Sequence, residues 1–307
     1  MRGKARISVA LCTRNRAREL ERTLHSLLAQ DYPAPLMDLT VLDDASDDGS
    51  DKSAGKLLGS FICAGWVGAR LLRNSSRADI ARGRERLQGE LAGESRYALC
   101  LDDDVVLPPD LVSSLVSAAE RDPSLGVAGP RICFLSDPGR TAHSANFVGR
   151  FNGRYREMDS TSPLDCDWLN SSCFLIRTEA LRRSGGFCGD YINAHEEVDF
   201  CLGVGLAGFK VRYIPSVKVL HDIEMKAPKK ERLYYLYRNK LWVIRRNFSF
   251  PLKALQLAFL LLGGTPLHLL ESLRRNRGTD PAELLIVLKA ALAGAFGAVP
   301  ERVKRLP

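Results

Sequence analysis

The chain has 307 residues, 45% hydrophobic and 26% charged, with 44 Lys and Arg against 36 Asp and Glu for a formal charge of +8. That composition excludes a disordered, collagen-like or disulfide-stapled chain, and the length suits one large α/β domain with an appendage. A net positive surface favours anionic partners: nucleotides, nucleic acids or acidic lipid headgroups.

The N-terminus is basic and then offers only a strand-length apolar run, residues 7–12 (ISVALC), so no secretory signal is read. Leu20, Leu24, Leu27 and Leu28 recur at helical spacing, and Tyr32-Pro33 closes that helix. Residues 39–44 (LTVLDD) read as a second strand, followed by a polar turn over 45–50. A short third strand covers 69–72, a basic helix 80–91, and a fourth strand, 97–104 (YALCLDDD), runs straight into carboxylates. Pro108-Pro109 open another helix, and 126–130 form a fifth strand. Strand–helix alternation of this kind implies a mostly parallel, Rossmann-like sheet covered by helices on both faces.

Residues 134–162, rich in Arg, Gly, Ser and Asn, read as an irregular insert facing the active site. Residues 167–181 return to strand then helix, and 195–215 to an acidic helix start, a Gly-marked turn and a strand. The composition changes near residue 225, which divides a catalytic domain, 1–225, from a helical C-terminal region, 226–307. From Lys226 to Lys253 nine basic residues and one acid, Glu231, are interleaved with Tyr234, Tyr235, Tyr237 and Trp242. Residues 255–270 are apolar, but Gln256, Gly263, Gly264, Pro266 and His268 interrupt them. They fall short of the roughly 18 clean residues of a span and read as interfacial or packed. Residues 284–299 form one more apolar helix. The 8 cysteines include no C-x-x-C pair, and Cys12 and Cys100 lie in apolar runs, so free thiols in a reducing compartment are expected.

In parallel sheets, sites gather at the carboxyl ends of the strands. Asp43-Asp44 and Asp102-Asp103-Asp104 both emerge there, on one edge. Unpaired carboxylates so placed repel one another unless a cation is bound. Asp47 and Asp48 are instead read as helix N-cap acids. A third acidic group, Glu196, Glu197 and Asp199, opens the helix of HEEVDF.

With these motifs the chain resembles the family 2 glycosyltransferases, inverting enzymes with the GT-A fold, across roughly residues 7–250. ISVALCTRNRARELERTLHSLLAQDYP is similar to the family's opening strand, nucleotide loop and helix, and VLDDASDDGS to its first acidic motif. LCLDDDVVLPPDLV resembles its D-x-D segment. HEEVDFCLGVGLAGFKVRYIPSVKVLH resembles its catalytic-carboxylate helix and the closing strand with its histidine. YYLYRNKLWVIRRNF is similar to a segment of bacterial members that decorate lipid-linked or cell-wall glycans, rhamnosyltransferases among them.

The resemblance implies a nucleotide-diphosphate sugar donor, a UDP- or dTDP-sugar, and a divalent cation, Mn2+ or Mg2+. Hard oxygen ligands hold such a cation, which neutralises charge on the leaving diphosphate. By resemblance Asp104 is the metal ligand, with His221 near the metal and Asp102 either ligating or, like Asp103, on ribose or sugar hydroxyls. Asp44 accepts a hydrogen bond from the base, Thr13 and Arg14 line the nucleoside pocket, and Arg82 lies near the donor. An exposed arginine on a basic helix is the other reading of Arg82. Glu197, where the family pattern Glu-Asp-x-Asp has Asp, is the favoured general base, Glu196 the alternative, and Asp199 the third carboxylate. Trp168 faces the acceptor sugar.

Ser75-Ser76, Gly83, Cys188 and Gly189 depart from the family pattern in the donor and acceptor loops. The Q-x-x-R-W segment of processive synthases is absent, so transfer of one or a few sugars is expected. The acceptor is expected to be a glycan, lipid-linked or small-molecule hydroxyl. The basic, aromatic C-terminal region suits an anionic membrane surface, placing the protein in the cytoplasm or on the inner face of the membrane; packing or homo-oligomer contact is the alternative. A noncatalytic glycan- or lipid-binding relic and a nucleic-acid-binding protein are the competing functions. Neither a relic nor a phosphate-backbone binder accounts for intact strand-end carboxylates, and no nucleic-acid partner is expected.

Overall fold

The computed structural model describes residues 4–223, 230–264 and 281–302. The first half of the chain builds strands β1 (Ile7–Thr13), β2 (Met37–Asp43), β3 (Gly68–Arg73) and β4 (Tyr97–Leu101), with helices α1 (Ala17–Leu28), α2 (Ser50–Cys63) and α3 (Ile80–Leu91) as crossovers. β1 lies between β2 and β4 and pairs parallel with both, and β3 adds parallel to β2. Both faces of β1 and β4 are covered, which is why these strands are unbroken apolar runs with no alternation.

Two core layers sandwich the sheet. On one face Leu20, Leu24 and Leu27 of α1 pack with Phe61 of α2 and with Leu111 and Leu115 of α4 (Leu111–Arg121). On the other, Leu87 and Leu91 of α3 pack with Leu181 of α5 (Thr178–Ser184) and Phe200 of α6 (Glu196–Leu206). α3 can lie so close to β1 because residue 83 is glycine: a Cβ there would stand 2.7 Å from Cys12 Sγ.

Beyond β4 the sheet becomes mixed. A two-residue strand, β5 (Val105–Val106), follows the acidic turn, and then come β6 (Leu125–Phe134), β7 (Asp137–His143), β8 (Ala145–Val148), β9 (Tyr155–Met158), β10 (Leu164–Cys166), β11 (Cys173–Arg177) and β12 (Lys210–His221). The main sheet runs β10-β12-β6-β11-β4-β1-β2-β3, with β11 antiparallel to both β4 and β6. The parallel arrangement expected from the sequence therefore holds for β3-β2-β1-β4 and gives way at β11. The stretch 134–162 is not irregular as expected: it carries β7 and the β8–β9 hairpin. β7 and β9 are largely exposed and the buried β8 is only four residues long, so no extended apolar run or alternation marks them.

The C-terminal helices α7 (Lys230–Asn247), α8 (Leu252–Phe259) and α9 (Pro281–Phe296) dock onto the catalytic core. α9 approaches α7 at Gly294, where a Cβ would lie 2.8 Å from the Arg238 carbonyl oxygen. The Arg245 guanidinium donates to the carbonyls of Gly294 at 2.9 Å and Gly297 at 2.7 Å, satisfying the end of α9. Gln256 of α8 donates to the Arg150 carbonyl at 2.9 Å, tying the helices to the β8–β9 turn. Among the described residues no helix is long and apolar enough to cross a membrane. The expected division near residue 225, and residues 265–270 of the apolar stretch, lie outside the described residues. All eight cysteines are free thiols.

Candidate active site at the strand ends

The carboxyl ends of β1, β2 and β4 deliver their loops to one edge. After β1, the buried Thr13 hydroxyl finds no protein partner. Arg14 then donates to the carbonyls of Asp44 at 2.6 Å and Ala45 at 2.8 Å, clasping the loop after β2. Asn15 turns the chain with φ 52, a left-handed conformation asparagine tolerates. Asp44 is buried, and its oxygens accept from Asn74 Nδ2 at 2.6 Å and from the Ala78 and Asp79 N–H groups at 2.8 and 3.0 Å. The carboxylate expected to meet the base thus also shapes the loop leading into α3.

Asp102, Asp103 and Asp104 form the turn between β4 and β5. The Thr23 hydroxyl of α1 accepts the Val105 N–H at 3.0 Å and pins that turn from beneath. Asp103 is buried, and burial pushes its carboxyl up to about 7, against the pull of Arg16 at 3.3 Å. Burial would also raise Asp104, but His221 and Arg16 outweigh it and hold that carboxyl below the ordinary range. His221 ends β12 and places Nε2 at 2.9 Å from Asp104 Oδ1, while Arg16 bonds the other oxygen. Burial disfavours the imidazolium, yet the Asp104 contact raises the His221 pKa. Arg16, at the start of α1, was not singled out in the sequence; it is the cation that offsets these two buried acids.

Ligand atoms of Asp102, Asp104 and His221 lie within 4.8 Å of one another. Two carboxylates and an imidazole are a donor set suited to Mn2+ or Mg2+. Asp104 Oδ1 meets His221 Nε2 as an ion pair but receives no hydrogen bond of good geometry, and the buried His221 Nδ1 has no hydrogen-bond partner. The residues fit the expected cation.

Arg84 joins this edge to α6. It occupies the buried stripe of α3 with Leu87 and Leu91, and donates to Asp102 Oδ1 at 2.6 Å, to the Ser171 carbonyl at 3.3 Å, and to Glu196. Arg82, the arginine expected near the donor, is exposed on another side of α3 and makes none of these contacts. A helical wheel of residues 80–91 carries the missing signal, since 84, 87 and 91 fall on one face.

The catalytic-helix candidates separate at α6. His195 precedes the helix with φ 71. Glu196 is buried against Arg84. Glu197 is half-buried, and burial together with Glu196 pushes its carboxyl up to about 8. Asp199, the third carboxylate expected in the catalytic group, is held by partners other than Arg84. It points into a structural network, accepting from Asn247 Nδ2 at 2.7 Å, Arg302 at 3.1 Å and the Tyr191 hydroxyl at 3.2 Å, with Arg246 Nε at 3.5 Å. Asp199 fastens α6 to α7 and to the C-terminal segment.

Trp168 lies opposite Asn146 in an isolated bridge, its ring edge-on to Tyr155 with centroids 5.5 Å apart. Tyr155 also meets His195 edge-on at 5.4 Å. The Tyr155 hydroxyl and the Trp168 indole N–H are buried without a partner. Burial and then the Glu197 charge raise the Tyr155 pKa, and the Tyr155 contact with His195 sets this aromatic corner against the start of α6.

The sequence profile of Glycosyl transferase family 2 matches residues 8–185, and that of Glycosyl transferase family group 2 matches residues 97–296. The chain is 29% identical over 232 residues to N-acetylglucosaminyl-diphospho-decaprenol L-rhamnosyltransferase of Mycobacterium tuberculosis, covering 66% of this chain and 71% of that protein. It is 24% identical over 139 residues to rhamnosyltransferase WbbL of Escherichia coli, covering 41% of this chain and 52% of that one. Among solved structures, S. aureus TarS 1-349 in complex with UDP-GlcNAc superposes with a TM-score of 0.66 at 16% identity, covering 96% of this chain and 82% of that chain. The mannosyltransferase PcManGT from Pyrobaculum calidifontis, in complex with GDP-Man and Mn2+, gives 0.61 at 17% identity, covering 95% and 81%.

Proposed function

The chain belongs to glycosyl transferase family 2 and is a nucleotide-sugar-dependent glycosyltransferase, and from that premise we propose a single-displacement, inverting transfer to a lipid-linked glycan hydroxyl. Rhamnose, carried on dTDP or UDP, is the donor sugar this reading favours, because the two relatives described above are named as rhamnosyltransferases. The observation that carries it is the Asp102, Asp104 and His221 cluster, joined through Arg84 to the carboxylates that open α6.

The acceptor oxygen bonds to the anomeric carbon as the bond to the nucleotide diphosphate breaks, and its proton passes to a carboxylate. Glu196 is committed to Arg84, so Glu197 takes that proton. A carboxyl raised towards neutral pH is matched to the task of a general base. A divalent cation held by Asp102, Asp104 and His221 would neutralise the charge that develops on the leaving diphosphate. Thr13 and Arg14, beside Asp44, border the nucleoside, and Asp103 sits under the donor's sugar or ribose hydroxyls. Trp168 offers its ring to the acceptor sugar.

An anionic membrane surface is the proposed neighbour of the C-terminal helices. Leu284, Leu285, Leu288 and Leu292 are exposed along α9, with Phe250 and Leu262 exposed beside α8. A lipid-linked acceptor would be met at such a surface.

Calorimetric titration with dTDP, UDP, GDP and CMP, with and without Mn2+ or Mg2+, tests the reading in wild type and Asp104→Ala. One diphosphate should bind tightly, only with metal, and lose that binding in Asp104→Ala. Absence of nucleotide binding under every metal condition would sink the proposal.

A further inference from the structure

A cation outside the strand-end site lacks a counter-charge. Lys240 of α7 is half-buried, and its ammonium stands 4.6 Å from the centroid of the Tyr155 ring. Among the described residues it forms no ion pair and no hydrogen bond. Its charged neighbours share its sign: Arg154 bears on Lys240, and Lys240 and Arg232 both bear on His195. Burial, then Arg154, push the Lys240 ammonium down to about 8, so it remains a cation at neutral pH. His195 is driven down to about 4, chiefly by burial and then by Lys240, and is neutral there.

Withdrawing an ammonium from water beside further positive charge, with no ion pair to a carboxylate among the described residues, costs free energy in the unliganded protein. The hydrogen-bonding inventory is equally one-sided. The hydroxyl of Tyr155, whose ring faces this ammonium, and the indole N–H of Trp168, edge-on to Tyr155, are buried without an acceptor. A sugar hydroxyl would supply an oxygen but would leave the charge unanswered. A phosphoryl group brings negative charge and several acceptor oxygens at once.

We propose that Lys240, set over the ring of Tyr155, which in turn meets Trp168 edge-on, is a subsite for a phosphoryl group carried by the acceptor. This rests on the glycosyltransferase reading, because the cluster is an acceptor site only through the Tyr155 contact with His195, which leads into the candidate base on α6. It stands apart from the donor carboxylates, being built from α7, β9 and the segment before β11. Its place gives it a purpose: a phosphoryl anchored here would hold the neighbouring sugar hydroxyl within reach of the base.

The test uses the full chain in EDTA, so that metal-dependent binding at the strand-end site is silent. Farnesyl diphosphate below its micelle concentration, farnesol, and phosphatidylglycerol vesicles are titrated into wild type, Lys240→Met and Lys240→Arg. A charge-assisted contact is worth about 1.5–3 kcal/mol, so Lys240→Met should weaken farnesyl diphosphate about 10- to 100-fold. Lys240→Arg should retain most of the affinity, and farnesol should bind weakly and indifferently to all three. Metal-dependent dTDP or UDP binding, measured in parallel, should be the same in every variant and reports folding.

Equal diphosphate affinity in wild type and Lys240→Met, with nucleotide binding intact, would overturn the subsite. So would a Lys240 dependence seen with the vesicles and not with farnesyl diphosphate, which would make the lysine a headgroup contact. Failure of nucleotide binding in wild type would strike the glycosyltransferase reading instead, and is read in a separate titration.

Discussion

Replacing Arg84 with methionine tests the link between the two halves of the site. Its side chain is 7% exposed and bridges Glu196, 6% exposed, to Asp102, 26% exposed. Arg84→Met keeps much of the packing against Leu87 and Cys12 but strands Glu196 in the core. Removing one partner of a buried pair costs roughly 3–5 kcal/mol, and the apolar replacement favours the lower end, about 3 kcal/mol. For a chain of this size that is a fall in Tm of about 5 °C. Stability by thermal and urea unfolding of wild type, Arg84→Met, Glu196→Gln and the double variant completes a cycle. Glu196→Gln should be less costly in the Arg84→Met background, because the stranded charge is then gone, with a coupling of about 1–3 kcal/mol. A coupling below about 0.5 kcal/mol, or a wild-type Tm in Arg84→Met, would refute the claim that this arginine neutralises the buried pair.

Two further variants separate chemistry from architecture. Glu197→Gln should lower turnover by about 10²–10⁴-fold while leaving metal-dependent nucleotide binding unchanged, and near-wild-type turnover would remove Glu197 as the base. Because Glu197 accepts a proton only when ionised and its carboxyl is raised to about 8, turnover should climb with pH up to that value and level off above it. The same shift acts on stability. The folded state binds this proton more tightly than the unfolded chain, so stability contributed here is present at low pH and declines as pH rises from about 4.3 through the folded value. In Glu197→Gln that decline should flatten, and an unchanged pH–stability profile would count against the raised carboxyl. Asp199→Asn should act on the fold: Arg246 and Arg302 lose their shared buried counter-charge, at about 3 kcal/mol, seen as a lower Tm. Reduced turnover in an Asp199→Asn protein of wild-type stability would return Asp199 to the catalytic group.

Much of the nucleotide-facing half was legible along the chain. β1 and β4 are near-continuous apolar runs and β2 is apolar apart from Asp38, Thr40 and its terminal Asp43, and such patterns, like that of α1, are a property of neighbouring residues. The carboxylates after those strands could be assigned to one edge because parallel strands share a direction. The mixed half was not legible: β7 and β9 are largely exposed and polar, β8 is only four residues long, and β11 and β12 join the sheet through partners far along the chain. Side-chain roles blurred at a spacing of two. Arg82 and Arg84, like Glu197 and Asp199, lie about 200° apart around a helix, so one member of each pair meets the cleft or core the other turns from.

The amino-acid sequence by itself determined that acids follow β2 and β4, that an acidic turn opens α6, and that a histidine ends β12. Those features depend on local composition and period. Only the tertiary structure decided which cation answers each acid: Arg16 for Asp103 and Asp104, Arg84 for Asp102 and Glu196, Arg246 and Arg302 for Asp199. The partners stand 88 residues apart for Arg16 and Asp104, 112 for Arg84 and Glu196, and 103 for Arg302 and Asp199. Charges so distant along the chain are selected by burial, since in the core an ion must be paired, whereas in the sequence every arginine is an equal candidate.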